Sequence, residues 1–403
     1  MFEQLPALSA DPILGLVAAF NADTNERKVD LGAGVYKDEN GHTPIMAAVA
    51  QAQSLWAEQE ATKVYAPPAG FAGFNEGMMN LLLGKDHPAV RDGRVVSVQT
   101  PGGCGALRIA AGMLSRCRER SGINSRDDIT VWVSTPTWAN HIPLLGSAGL
   151  TLKEYPYYDY DNHGIDFDAM MTELANVKAG DLVLLHGCCH NPSGADLTQE
   201  QWRTLTELLV EKGATPFIDI AYQGLGDGLD EDAYGLRYVA EHCSEVIVAS
   251  SCSKNFGLYR ERVGAVMVVA NAPSVAEVCR GQLLNVAREI YSMPPSHGAA
   301  LVDLILHNDA LTQQWENELK EVRERIANLR QTFVTKLAAA GTGDRFDYIQ
   351  NEKGMFSFLG ITQEQVKRLK EDSIYMVGSS RINIAGLNHN NMDYVVESLL
   401  KVL

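Results

Sequence analysis

Six β-rich runs punctuate the chain: RVVSVQT (94–100), ITVWVSTP (129–136), DLVLLHGCC (181–189), ATPFIDIAY (214–222), EVIVASS (245–251) and GAVMVVA (264–270). Several are apolar throughout rather than alternating, the pattern of strands buried on both faces of a parallel sheet covered by helices. Helical patterns lie between them. In TQEQWRTLTELLVEKG, Thr198 and Gln201 fit a capping box, Trp202, Leu205, Leu208 and Leu209 form an apolar face, and Gly213 stops the helix. Strand, helix and strand in succession make a βαβ crossover, so the expected class is α/β.

Near residue 310 the period changes. Leu311, Trp315, Leu319, Val322, Ile326, Leu329, Phe333 and Leu337 recur every three or four residues. That predicts one amphipathic helix of about 30 residues. Beyond it lie MFSFLG, a helix capped at Thr362, strands near SIYMVG and RINIAG, and a terminal helix ending VVESLLKVL. This is the pattern of a smaller α/β domain. The first 40 or so residues have no obvious place in the central sheet and are expected to join that domain.

The 403 residues suit a large domain plus a smaller one, with 46% apolar and 21% charged residues giving an ordinary globular balance. A net charge of −16 disfavours nucleic acid and anionic membranes as partners. An anionic small substrate would need its own local arginines. The N-terminal segment carries an acidic residue where a signal peptide needs basic ones, and no apolar run approaches the length of a membrane helix. Seven cysteines without framework spacing suggest reduced thiols in the cytoplasm.

HGCCHNPSG (186–194) resembles a metal site at first sight. On a strand, however, His186, Cys188 and His190 would point one way and Cys189 the other, and adjacent ligands on an extended backbone cannot close a tetrahedron. No metal is expected there, and the cysteines suit a buried strand. Asn191 follows the strand and precedes Pro192, at the carboxyl edge where α/β sheets bind ligands. It is equally ordinary turn chemistry.

Other strand ends add to it. Gly102, Gly103 and Gly105 open a helix and make a backbone cradle for one phosphate, or a plain tight turn. The dinucleotide fingerprint is broken by Arg108, and the P-loop lysine is absent. Asp219 sits among apolar residues and needs a cationic partner, either an internal salt bridge or a protonated heterocycle nitrogen. Tyr222 lies three residues on. Ser251, Ser253 and Lys254 follow the next strand, with Arg262 eight residues beyond the lysine. A lysine between serines and a turn, after a buried strand, is well placed to form an imine. Together these are the parts that hold pyridoxal phosphate.

The chain resembles the class I aspartate and aromatic amino acid aminotransferases, fold-type I pyridoxal-phosphate enzymes, and in particular their bacterial aspartate-specific members. DPILGL, LGAGVYKDENG, QTPGGCGALR, HGCCHNPSG, DIAYQG, SSCSKNFGLYRERVGA, IYSMPPSHGA and SRINIAG carry the resemblance along essentially the whole chain. It implies a large domain (45–315) with a mostly parallel seven-stranded sheet, a small domain (316–403), and an N-terminal arm (1–44) belonging partly to the small domain. It implies that Lys254 attaches the cofactor and then acts as acid–base catalyst, that Asp219 pairs with the ring nitrogen, and that Asn191 and Tyr222 donate to the ring oxygen. Trp138 would stack on the ring, with His141 behind Asp219. Gly102, Gly103, Cys104, Ser251, Ser253 and Arg262 would hold the phosphate, with Tyr65 from a neighbouring subunit. Arg381 would grip the substrate α-carboxylate, Arg288 would reach a distal carboxylate across a homodimer interface, and Gly34 would lie beside the substrate on a mobile segment.

The implied reaction is ping-pong amino transfer between L-aspartate and 2-oxoglutarate. Val35, Lys37 and Thr43 match dicarboxylate-specific members. Val64 and Met293 replace asparagines of those members and leave aromatic or dual specificity open. Cys104 replaces a hydroxyl residue, so slightly weaker cofactor retention is expected. The rival readings are a nicotinamide-linked dehydrogenase, a zinc hydrolase on HGCCH, a non-catalytic relative, and a pyridoxal-phosphate lyase or decarboxylase. The missing fingerprint, the ligand geometry, the retained lysine and the paired arginines disfavour them in turn.

Overall fold

The computed structural model describes residues 2–6, 12–120 and 130–403. Asp11 of DPILGL and Ile129 of ITVWVSTP lie outside the described residues. Seven strands form the central sheet: β1 (Val95–Pro101), β2 (Thr130–Thr135), β3 (Thr151–Pro156), β4 (Leu182–His186), β5 (Thr215–Ile220), β6 (Val246–Ser251) and β7 (Val263–Val269). Their order is β1-β7-β6-β5-β4-β2-β3. β7 runs antiparallel to both its neighbours, and the other pairings are parallel.

The mostly apolar runs are the interior strands and β1. Alternate residues of each serve opposite faces. Leu182 and Leu184 belong to one buried cluster with the helix Gly102–Arg120, while Val183 and Leu185 belong to the other with Trp202, Leu205 and Leu209. Both faces are therefore covered, which is why hydrophobicity does not alternate along these strands. β3 escapes the sequence pattern because it is an edge strand. Its TLKEYP sequence exposes Lys153 and Glu154, the charged character that edges carry.

The topology brings several chain segments to one sheet edge. The parallel strands end there at Thr135, His186, Ile220 and Ser251. β1 ends beside them and runs straight into the helix Gly102–Arg120, with Pro101 opposite Val263. Because β7 is antiparallel it starts at this same edge, so Arg262 enters it from the opposite direction. His186 and Asp219 are register partners, as are Asp219 and Ala249.

The capping box at Thr198 and Gln201 forms, and Gly213 ends that helix in the left-handed region at φ 65°. The long helix runs Asp309–Leu337, 29 residues, and buries the predicted stripe, Val322 excepted, which is partly buried. Phe356–Phe358 pairs antiparallel with Arg381–Asn383, and Ile374–Tyr375 pairs parallel with Val29–Asp30. The early chain is thus hydrogen-bonded to the late chain. Asn383 also donates through Nδ2 to the carbonyls of Ala33 (2.6 Å) and Val35 (2.7 Å). No described helix is long and apolar enough to cross a membrane.

Candidate active site

A cavity of about 200 Å³ opens at the convergent sheet edge. Gly34, Gly103, Cys104, Trp138, Asn191, Asp219, Tyr222, Ser251, Ser253, Lys254, Arg262 and Arg381 all line it, so most of the residues singled out from sequence come together. Leu107, His186, Cys188, Ala221 and Phe356 line it as well. Sequence reasoning weighed His186 and Cys188 as metal ligands and Cys188 as a buried strand residue, and gave neither a place at the site. Phe356 sits in an apolar run with nothing to distinguish it from core.

Gly102 stands behind the wall. It adopts φ 69°, and a Cβ there would lie 2.5 Å from Arg262 Nη2. The close approach of the Arg262 guanidinium to this backbone requires glycine. Tyr65 and Arg288 do not join the cavity within one chain. Tyr65 is 88% exposed, and Arg288 is exposed near the end of the helix Pro273–Ile290, donating to Ser292 Oγ at 3.1 Å.

At one end of the cavity Arg262 donates to the Tyr259 carbonyl (2.9 Å) and lies 3.5 Å from Ser253 Oγ. Ser251 donates to Ser253 at 3.1 Å. Gly103 has its Cβ position 3.2 Å from Ser251 Cβ, so a side chain there would crowd the serine. Backbone N–H groups of the helix's first turn, two hydroxyls and a guanidinium make a compact anion cradle.

Asp219 lies deeper. His141, fully buried, places Nε2 2.8 Å from Asp219 Oδ2. Thr137 Oγ1 lies 2.8 Å from His141 Nδ1 and 3.1 Å from His186 Nε2, extending a polar chain behind the carboxylate. Burial would raise the Asp219 carboxyl, but the His141 hydrogen bond, with His141 and Lys254 nearby, prevails, and it is held below the ordinary carboxylate range. His186 is pushed down to about 3 by burial and by His141. The Lys254 amine stands 5.0 Å from the Tyr222 ring centroid. Burial lowers its pKa, Asp219 opposes that, and Arg262 adds to it.

Arg381, also in the cavity wall, is 7% exposed and stacks 4.4 Å above the Phe356 ring. Its Nη2 donates to the Gly32 carbonyl at 2.9 Å and its Nη1 lies 3.5 Å from Asn191 Oδ1. Its Nε is buried without a hydrogen-bond partner among the described residues, leaving donor capacity for an anion. A cavity lined by an anion cradle, a basic amine and a second guanidinium suits a doubly anionic arrangement.

The HGCCH segment differs from the extended strand that its sequence suggested. β4 ends at His186, and Cys189 turns the chain at φ 50°. The Asp196 carboxylate accepts from the Cys189 N–H (2.6 Å) and the His190 N–H (2.8 Å), which stabilises that turn. His190 stacks on Tyr157 and bonds Ser193 and Ser134, away from the thiols. Cys188, Cys189 and Asp232 do place ligand atoms within 4.8 Å of one another. Yet Asp232 already accepts N–H groups of Gly224, Gly226 and Asp227. The Cys188 thiol is pushed well up by its hydrogen bond with Cys189 and by burial. This arrangement is that of a folded turn, and no metal role is drawn from it.

A sequence model described as "Aminotransferase class I and II" matches residues 26–399. The chain belongs to this family. It is an aminotransferase. It is 48% identical over 404 residues to an aspartate aminotransferase of Haemophilus influenzae, covering all of both chains. It is 44% identical over 403 residues to an aromatic-amino-acid aminotransferase of Paracoccus denitrificans, again over both entire chains. Among solved structures, an aromatic-amino-acid aminotransferase from Burkholderia pseudomallei covalently bound to pyridoxal phosphate superposes with a TM-score of 0.96 at 41% identity, covering 100% of this chain and 99% of the other. The expected seven-stranded, mostly parallel α/β fold is the one these structures share.

Proposed function

We propose that the protein transfers an amino group between L-aspartate and 2-oxoglutarate, with pyridoxal phosphate held in the cavity at the sheet edge. The observation that carries this reading is that Lys254, Asp219, the anion cradle and Arg381 all line one cavity. The donor set fits the cofactor. The cradle of Gly103, Cys104, Ser251, Ser253 and Arg262 takes the phosphate, with Gly102 giving Arg262 room. Asp219 would pair with a positively charged ring nitrogen, Asn191 and Tyr222 would donate to the ring oxygen, and Trp138 would stack on the ring. Tyr222 and Lys254 both line the cavity, so both are open to a bound group. When bound, the cofactor supplies an electron sink for the bond electrons left at the substrate α-carbon.

The chain's own residues do the rest. Arg381 binds the α-carboxylate, and its stack on Phe356 and bond to Gly32 fix its plane. Lys254 Nζ would take the α-proton and hand it to the cofactor side of the reacting bond rather than back to the α-carbon. Burial and Arg262 keep that amine from holding its proton as tightly as a free lysine, which a base near neutral pH requires. Asp219, kept anionic by His141, holds positive charge opposite the reacting end. Gly34 lies beside the substrate on the segment laced to Asn383, where a side chain would meet Phe356.

The active unit in this reading is a homodimer. Val64, Tyr65, Ile45, Val278 and Ile290 are exposed apolar side chains, from 47% to 88%. Arg288 and Tyr65 lie outside their own chain's cavity, and a second chain would supply them, Arg288 to the distal carboxylate and Tyr65 to the phosphate. The division into a large domain (45–315), a small domain (316–403) and an arm (1–44) belongs to the same proposal, supported by the pairing of Val29–Asp30 with Ile374–Tyr375. Apolar Val64 and Met293 favour a second reading, activity on aromatic amino acids as well.

The test is an absorbance titration of the purified protein. Aspartate should bleach the cofactor's visible band, and 2-oxoglutarate should restore it. Borohydride should fix the cofactor to Lys254 in peptide mapping. Absence of vitamin B6 from the protein, or an unmodified Lys254, overturns the reading. A kcat/KM for phenylalanine above that for aspartate overturns the substrate assignment alone.

A further inference from the structure

The loop 252–262 joins β6 to β7 and carries Lys254 and Arg262, both in the cavity wall. Tyr259 lies in this loop, three residues before Arg262, and is not among the residues that line the cavity. Its two polar groups meet different parts of the chain. The carbonyl accepts from Arg262 Nη1 at 2.9 Å. The hydroxyl accepts from the Tyr36 N–H, also at 2.9 Å, across 223 positions of sequence. Tyr36 stands two residues after Gly34, which does line the cavity. One side chain outside the cavity thus bridges the arginine of the anion cradle and the early segment of the wall.

The other supports of that segment come from the late chain. Asn383 Nδ2 holds the Ala33 and Val35 carbonyls, and Arg325 Nη1 donates to the Lys37 carbonyl at 2.9 Å. Arg325 Nη2 also reaches Glu39 Oε2 (3.1 Å) and the Leu387 carbonyl (3.2 Å), which fixes its guanidinium. Of the hydrogen bonds named here, the one to Tyr259 alone ties the segment to the loop that carries Lys254. An anion on Arg262 would hold that guanidinium by charge-assisted bonds. Nη1 would then steady the Tyr259 carbonyl, and the ring would present its hydroxyl to Tyr36 from a fixed base.

We propose that Tyr259 is a positioning residue that couples anion binding at Arg262 to the seating of the Gly34 segment. It acts through Tyr36, and so on the binding of substrate rather than on proton transfer at Lys254. The proposal rests on the cofactor and substrate readings given above. Such coupling is reciprocal, so whatever seats the segment also tightens the hold on the anion.

The experiment compares the full chain with its Tyr259→Phe variant, which keeps the ring and the carbonyl and removes the hydroxyl. Residue-resolved amide hydrogen exchange at Tyr36 is measured in cofactor-free protein, in the same protein saturated with inorganic phosphate, and in protein loaded with pyridoxal phosphate. In the parent either ligand should slow that exchange. In the variant it should be faster by roughly threefold to tenfold, the equivalent of one neutral hydrogen bond, and should respond little to either ligand. The loaded variant should show a KM for aspartate raised by a similar factor with kcat within about twofold of the parent's, the pattern of lost uniform binding. Tyr155→Phe is the control, since it removes a hydroxyl that donates to the Leu184 carbonyl at 2.9 Å within the sheet. It should lower stability and leave both KM and the Tyr36 amide as in the parent. Tyr36 exchange that ignores both ligands in the parent overturns the proposal, as does an unchanged KM in Tyr259→Phe. An equal rise of KM in Tyr155→Phe also overturns it, because the effect would then be one of general stability. A chain that takes up no pyridoxal phosphate, or a loaded chain inactive on aspartate, sinks the cofactor or the substrate reading instead. The inorganic-phosphate arm still decides whether the cradle and Tyr36 are coupled.

Discussion

His141 and Asp219 form a buried pair, Nε2 to Oδ2 at 2.8 Å, at the floor of the cavity that holds Lys254. The histidine is wholly enclosed, and the carboxylate side chain is 12% exposed. Its anionic form is maintained against burial chiefly by this hydrogen bond. Removing the imidazole should let the carboxyl rise. For a carboxyl held low in the folded state, the stability it contributes is present above the unfolded pKa and lost as pH falls through the folded one. His141→Ala should therefore lower stability at neutral pH by about 1.5–3 kcal/mol, the range for a hydrogen bond to a charged group. It should also move the acidic limb of the kcat/KM profile to higher pH. Urea unfolding at neutral pH and a pH–rate profile check both parts. An unmoved acidic limb would show that His141 does not set the state of Asp219.

Lys254 carries the opposite sign. Its folded-state pKa is lowered, first by burial. As pH rises through the window between that lowered value and the ordinary lysine range, the unfolded chain holds a proton that the folded chain has released. Stability of the cofactor-free protein must rise with pH across that window. Lys254→Met should abolish this increment, seen as a smaller gain in urea midpoint from neutral to alkaline pH than the parent shows. The same variant should lose at least the ~10²–10⁴ in kcat that a positioned acid–base group contributes. A variant retaining parental kcat would mean another group moves the proton.

The parts of this site that were legible in the sequence are those whose chemistry conflicts with their surroundings. Asp219 and Lys254 are charged residues beside buried strands, and such placements need a reason. Arg381 and Arg288 are different. Nothing in spacing marks them, and they were reached through resemblance to a family. Phe356 stayed hidden because an apolar residue facing a cavity has the same pattern as one facing core. β3 was missed because an edge strand is charged and short of β-branched residues. His186 was seen but placed on the wrong geometry. The Asp196 carboxylate bends the chain after β4, and a side-chain-to-backbone bond seven residues away leaves no periodic trace.

Arg330 and Glu352 test the support beneath Phe356. Arg330, 3% exposed, donates to the carbonyls of Ile349, Gly354 and Phe356, bonds Ser357, and lies 3.6 Å from Glu352 Oε2. It is the anchor of the loop that sets Phe356 under Arg381. Arg330→Ala strands several buried carbonyls and the Ser357 hydroxyl and should cost at least about 1–3 kcal/mol in unfolding free energy. Glu352 is pushed up to about 8 by burial, which Arg330 only partly offsets. A carboxyl raised on folding makes stability fall as pH rises, here between the ordinary carboxylate range and about 8. Glu352→Gln should be far milder than Arg330→Ala and should flatten that decline. Denaturant midpoints at pH values on either side of the window separate the two effects, and an equally damaging Glu352→Gln would show that the charge itself is needed.

Val64 and Met293 test substrate choice. Val64 is 73% exposed in the single chain, and Met293 follows Ser292, the residue that accepts from Arg288. In the proposed dimer both would lie near the Arg288 that the partner supplies to a distal carboxylate. Neither side chain can hydrogen-bond a carboxylate. A site built with such bonds discriminates strongly against a substrate that cannot make them, whereas an apolar wall tolerates either. Val64→Asn with Met293→Asn should raise the ratio of kcat/KM for aspartate over phenylalanine by about tenfold, one to two neutral hydrogen bonds' worth. Most of the change should appear in the KM for aspartate, since the new bonds act on the distal group and not on the reacting carbon. The same pair of substitutions in an Arg288→Ala background should lose most of that gain. If the ratio rises equally without Arg288, the two positions act by removing apolar contact with phenylalanine, and the distal-carboxylate role assigned to the partner's surface is wrong.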